Sequence, residues 1–160
     1  MQDPSISIED WNALTPEQKL AGAERIGAMT DATSTNLTSF AAKGGKMLIV
    51  TGWSDPIFSA ADLIDWYDGL TTDSEKNGAG DAKRYARLFL TPGMNHCGGG
   101  DGPSDFDALQ TLVDWVEDGT SPDDMPAKRS GQDEIIPLCA YPAKTYGVAD
   151  ARGTPAYACR

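Results

Sequence analysis

The stretch Lys46-Met47-Leu48-Ile49-Val50-Thr51-Gly52-Trp53-Ser54-Asp55-Pro56 decides how the rest of the chain is read. Its centre is apolar without alternation, the pattern of a strand buried on both faces, as in a parallel sheet. Ser54-Asp55-Pro56 then breaks the strand, with Asp55 in position to cap a helix and Pro56 at its first position. Ile57, Ala60, Ala61, Ile64 and Tyr67 share one face of that helix. The polar, glycine-bearing segment 72–83 reads as a loop, and 85–90 as a second strand ended by Thr91-Pro92-Gly93. Ser104 follows a glycine-rich loop over 98–103 and reads as the cap of another helix, with Asp107 in the capping-box position. Leu109, Leu112, Val113 and Val116 are its expected buried face, and Gly119 its end.

Strand, helix, strand, helix at this spacing is a βαβ unit of an α/β sheet. Two buried strands are too few for an independent parallel sheet, so strand 46–51 needs a neighbour on its other edge. Part of the sheet is therefore expected outside this chain. Towards the N-terminus, Thr15-Pro16-Glu17-Gln18 is a capping-box helix start running to about residue 26, and a short helix is expected over 36–42. Residues 120–160 read as irregular. The boundaries drawn are an N-terminal helical segment over 1–30 and an α/β unit over 31–160.

Composition narrows the function classes. The chain has 160 residues, a net charge of −11 and 40% hydrophobic residues. Nucleic acid is excluded as a partner, because phosphate binding needs clustered Lys and Arg. No apolar run reaches the length that spans a bilayer, so no membrane partner is expected. Met1-Gln2-Asp3-Pro4 opens a polar segment without the features of a signal peptide. The three cysteines are Cys97, Cys139 and Cys159. Cys139 and Cys159 flank a tail with little pattern of its own. A bridge there would close a loop of about 21 residues, worth roughly 3 kcal/mol, and would imply an oxidising compartment. Three reduced thiols are the alternative.

Active sites of open α/β sheets gather at the carboxyl ends of strands. Asp55 follows the first strand and His96, the only histidine, follows the second. Adjacent strands lie about 4.8 Å apart, so the two loops can meet. A carboxylate there fixes the tautomer of an imidazole, which can then act as base and acid. The duller alternatives are an ordinary helix cap for Asp55 and a solvated loop side chain for His96. No serine nucleophile is recognisable. An elbow needs Gly-x-Ser-x-Gly, and although Ser54 and Ser104 have Gly two positions before them, Pro56 and Phe106 stand at the second glycine. Asp101, Asp105 and Asp107 miss the calcium-loop spacing and read as helix-start acids. No metal or cofactor is expected. Asn36-Leu37-Thr38 is a glycosylation sequon.

Five blocks carry a family resemblance: Gly44-Gly45-Lys46, Gly52-Trp53-Ser54-Asp55-Pro56, Pro92-Gly93-Met94-Asn95-His96-Cys97-Gly98-Gly99-Gly100, Trp115-Val116-Glu117-Asp118-Gly119 and Pro137-Leu138-Cys139-Ala140-Tyr141-Pro142. In order and spacing they resemble the C-terminal part of the tannase and feruloyl esterase family, over roughly residues 31–160. The resemblance implies the last βαβα unit of an α/β-hydrolase fold with a disulfide-stapled tail, and an ester hydrolase acting on small-molecule esters of aromatic acids. It assigns the triad acid to Asp55 and the triad base to His96. It maps the family's final disulfide onto Cys139 and Cys159. It also places Cys97 where the family bridges to a cysteine beside the nucleophilic serine. That serine would come from an upstream segment or a companion chain, so the chain alone is expected to show little activity. The implied location is extracellular or periplasmic. The competing reading is a non-catalytic domain that binds an aromatic ligand or a protein partner.

Overall fold

The computed structural model describes residues 7–149 and 155–160. The polar opening Met1–Pro4 lies outside the described residues. The chain divides into two compact units, Met1–Ser34 and Thr35–Arg160.

The first unit holds helices α1 (Ile8–Ala13) and α2 (Pro16–Thr30). The capping box at the start of α2 forms as its sequence dictates. The Gln18 amide donates to Thr15 Oγ1 at 3.3 Å, and the Thr15 amide donates to Gln18 Oε1 at 2.9 Å. These bonds satisfy two donors that a helix start leaves without partners. The helix runs to Thr30, a turn beyond the expected end. Helix α1, capped by Ser7, which accepts from the Asp10 amide at 3.0 Å, was not anticipated from the sequence.

The second unit is a mixed helix and strand structure. Short helix α3 (Thr38–Ala42) leads into strand β1 (Met47–Gly52), then helix α4 (Ala60–Lys76), a 3₁₀ turn over Ala82–Arg84 and strand β2 (Ala86–Thr91). β1 and β2 pair in parallel, in a register that sets Met47 beside Ala86 and Gly52 beside Thr91. The run 47–50 of β1 is apolar throughout because its alternate residues serve two cores. Met47 and Ile49 pack with Tyr67, Leu70, Ala86 and Leu88. Leu48 and Val50 pack with Phe89, Met125, Ala127 and Leu138. The full burial expected for β1 is not reached. Residues 47–50 are half-buried, and among the described residues only β2 pairs with it.

Three expectations are corrected here. First, α4 does not start at Asp55-Pro56. Ser59 caps it, accepting from the Asp62 amide at 3.2 Å. It also extends to Lys76, into the first five residues of the segment 72–83 read as a loop. There Thr71 and Thr72 turn their hydroxyls back onto the Asp68 carbonyl, and buried Ser74 donates to the Gly80 carbonyl. Second, Ser104 caps nothing. Residues Asp105–Phe106 form a short strand β3, and helix α5 (Ala108–Asp118) is capped by Asp107, which accepts from the Gln110 amide at 2.8 Å. The residue α5 buries is Trp115, while Leu109 and Val116 are exposed.

Third, residues 120–160 are not irregular. They hold strands β4 (Asp124–Lys128), β5 (Ile136–Cys139), β6 (Thr145–Ala149) and β7 (Pro155–Cys159). β3, β4 and β5 form an antiparallel sheet in which Pro126 faces Pro137. Proline cannot donate to a ladder and so hides a strand from sequence reading. The alternation is nonetheless present, with Met125, Ala127, Ile136 and Leu138 buried. β6 and β7 form an antiparallel hairpin, and the Cys139–Cys159 disulfide ties it to β5.

Candidate active site

The parallel register brings the carboxyl ends of β1 and β2 side by side, so the loops that follow begin as neighbours. Two backbone bonds fasten them. The Trp53 amide donates to the Thr91 carbonyl and the Ser54 amide to the Met94 carbonyl, each at 3.0 Å.

The second loop closes on itself. The Asn95 amide donates to the Gly99 carbonyl and the Gly102 amide to the Gly93 carbonyl, both at 3.3 Å. Gly99 and Gly100 take the left-handed region, at φ 69° and 82°. At Gly100 a side chain is doubly excluded, since a Cβ would also fall 2.1 Å from the Gly93 carbonyl oxygen. The glycine run is thus a tight loop beside His96.

Asp55 and His96 meet across these loops, with Asp55 Oδ2 2.8 Å from His96 Nδ1. The other carboxylate oxygen, Oδ1, accepts from the amides of Ile57 at 2.8 Å and Phe58 at 3.0 Å. Asp55 therefore caps its own turn and orients the imidazole with the same group. Its side chain is 3% exposed, against 40% for His96. The hydrogen bond to His96 is the chief cause holding the Asp55 carboxyl below its ordinary value. Loss of water pushes the other way, and the Phe58 and Ile57 amides reinforce the lowering. With Nδ1 engaged, Nε2 has no hydrogen-bond partner among the described residues. The arrangement is that of an imidazole held to accept a proton at one nitrogen while a carboxylate steadies the other.

The pair opens onto a cleft of about 520 Å³, within the size range of ligand pockets. Phe58, Leu63, Trp66 and Cys97 also line it. Phe58 is largely exposed, and its ring centre stands 5.1 Å from that of His96. Sequence reasoning missed Phe58, because the turn over 55–59 was read as a helix start, and Trp66, which carries no motif. Cys97 is an exposed free thiol. Neither Ser54 nor Ser104 lines the cleft, and Ser59, which does, is occupied as the cap of α4. Among the described residues no group of three or more His, Cys, Asp or Glu is placed to hold a metal ion. No helix among them is long and apolar enough to cross a membrane.

A fold with an acid–base pair at adjacent strand ends defines a class, and comparison with known proteins supplies the family. The family model described as "Tannase and feruloyl esterase" matches residues 5–157, and the chain belongs to that family. It is 44% identical over 137 residues to mono(2-hydroxyethyl) terephthalate hydrolase of Piscinibacter sakaiensis, covering 80% of this chain and 22% of that protein. It is 29% identical over 153 residues to feruloyl esterase B of Aspergillus niger, covering 83% of this chain and 29% of that protein. Among solved structures, feruloyl esterase B from Aspergillus oryzae shares the fold, with a TM-score of 0.75 at 22% identity over 92% of this chain and 33% of that one. The chain thus spans between about a fifth and a third of the length of these relatives. The family-level activity is ester hydrolysis.

Proposed function

We propose that this chain contributes the acid–base half of a serine carboxylic ester hydrolase, within the last βαβα unit of an α/β-hydrolase fold. The observation that carries the reading is the 2.8 Å contact between His96 Nδ1 and a nearly buried Asp55 carboxylate, with Nε2 left for chemistry. In the proposed reaction His96 Nε2 takes the proton of a serine hydroxyl as its oxygen attacks the ester carbonyl. Asp55 stabilises the imidazolium, which then protonates the departing alcohol and leaves a serine ester. A water molecule, deprotonated by the same imidazole, releases the acid and restores the serine. These steps call on no cofactor.

The serine belongs to a segment or companion chain outside these 160 residues, joined through Cys97. In support, the chain spans 22% of one hydrolase relative, and Cys97 stands unpaired at the cleft beside His96. Esters of aromatic acids are the proposed substrates, and the exposed Phe58 ring beside His96 offers such an acid a face to stack on. The Cys139–Cys159 disulfide favours an extracellular or periplasmic location.

The test grafts this chain in place of the matched segment of the Piscinibacter sakaiensis hydrolase. The chimera should hydrolyse its ester, and His96→Ala should lower kcat by on the order of 10⁶-fold. Turnover that survives His96→Ala would assign the chain to ligand or partner binding instead.

A further inference from the structure

We infer that Gly52 is a positioning residue: the side chain it lacks is what lets the two loops approach closely enough for Asp55 to reach His96. This rests on the acid–base reading given above. Gly52 ends β1, is buried, and takes no left-handed φ, so handedness does not explain its lack of a side chain. Close approach does. A Cβ at Gly52 would lie 2.1 Å from the Met94 carbonyl oxygen and 2.6 Å from that of Asn95. Both obstacles are backbone, which cannot swing aside as a side chain does. At Gly45, by contrast, the nearest atoms to an added Cβ are those of the Phe40 ring, a side chain.

The position of the obstruction gives it its consequence. The Met94 carbonyl that a Cβ would strike is the acceptor of the Ser54 amide. The Asn95 carbonyl belongs to the peptide that joins Asn95 to His96. Seating a methyl group at residue 52 therefore pushes the histidine loop away and strains the bond that fastens the aspartate loop to it. The carbonyl has to retreat by roughly 1 Å, a displacement that is on the order of 10²-fold in rate when it falls between reacting groups. A 2.8 Å contact between Asp55 and His96 does not outlast such a shift.

The experiment uses the chain itself, in which His96 supplies the only imidazole signals. Nitrogen NMR at a pH where the ring is neutral reads which nitrogen carries the proton. Carbon NMR follows the Asp55 carboxyl through acid. Wild type should show the proton on Nδ1 and an Asp55 titration below the ordinary range. Gly52→Ala should lose the fixed tautomer and return Asp55 towards its ordinary value, with β1–β2 amide protection retained. Gly45→Ala, a strain at the other end of β1, should keep both signatures. If wild type lacks them, the acid–base reading fails. If Gly52→Ala keeps them, that reading stands and the role given to Gly52 is wrong. Should Gly52→Ala not fold, wild type in sub-denaturing urea decides. The Trp53 and Ser54 amides should become exchangeable together with loss of the Nδ1 proton signal, and a signal that outlasts their protection overturns the inference.

Discussion

Raising the pH should destabilise this protein through Tyr67, and the size of the effect follows from its surroundings. Tyr67 is 1% exposed, and its hydroxyl donates to the Ala86 carbonyl at 2.9 Å. Burial pushes its pKa up to about 12, with the Arg87 guanidinium only partly opposing. An unfolded chain releases the same proton near about pH 10. Between these values the unfolded state holds fewer protons than the folded state, so stability falls as pH rises. The contribution is complete below the unfolded pKa and is lost as the pH climbs through about 12. One pH unit above the unfolded pKa the loss is about 1.4 kcal/mol, and the limit is about 3 kcal/mol. The assay is urea unfolding of wild type and Tyr67→Phe, from about pH 8 to about pH 11. The variant should be less stable near neutrality by about 1 kcal/mol, for the lost hydrogen bond. It should then gain on wild type by about 1.4 kcal/mol across the range. Other phenols and the lysines titrate in both proteins and cancel in the difference. Stability curves that stay parallel would refute the reasoning.

Two further outcomes follow from the site and the tail. Replacing Cys139 and Cys159 by Ala frees a loop closed over a separation of 20 residues. It should lower stability by about 3 kcal/mol, or roughly 10 °C in the melting temperature by circular dichroism. An unchanged melt would mean that strand pairing alone holds the β6–β7 hairpin. Because the Asp55 carboxyl is lowered in the folded state, its contribution is present above the ordinary carboxylate value and disappears as pH falls through the lowered one. Acid unfolding of Asp55→Asn should therefore be flatter than that of wild type, and equal acid sensitivity would count against the contact with His96.

What could be read from the sequence was the part governed by local rules. The unbroken apolar run over 47–50 is a strand because each of its faces meets a separate core. Thr15 and Gln18 form the capping box that their spacing dictates. Asp55 and His96 follow adjacent strands, and parallel pairing brings their side chains into contact. The reading failed where tertiary partners overrode those rules. Asp55-Pro56 looks like a helix start, yet the Asp55 carboxylate is engaged by two amides of its own turn and by His96, and the helix waits for Ser59. Ser74 looks like a loop residue until its hydroxyl is seen linking the Gly80 carbonyl to the Tyr85 hydroxyl. β4 and β5 were concealed because Pro126 and Pro137 sit opposite each other and neither has an amide to lose. Phe58 and Trp66 carry no motif, and only the fold brings them to the cleft.

The central claim is that Asp55 holds His96 by Nδ1 and leaves Nε2 free to take a proton, and it can be measured on one residue without assignment ambiguity. In nitrogen-labelled chain, at a pH where the only imidazole is neutral, the proton should sit on Nδ1, with Nε2 bare. Asp55→Asn should abolish that preference. A proton found on Nε2 in wild type, or an imidazole exchanging freely between tautomers with and without the Asp55 carboxylate, would contradict the account.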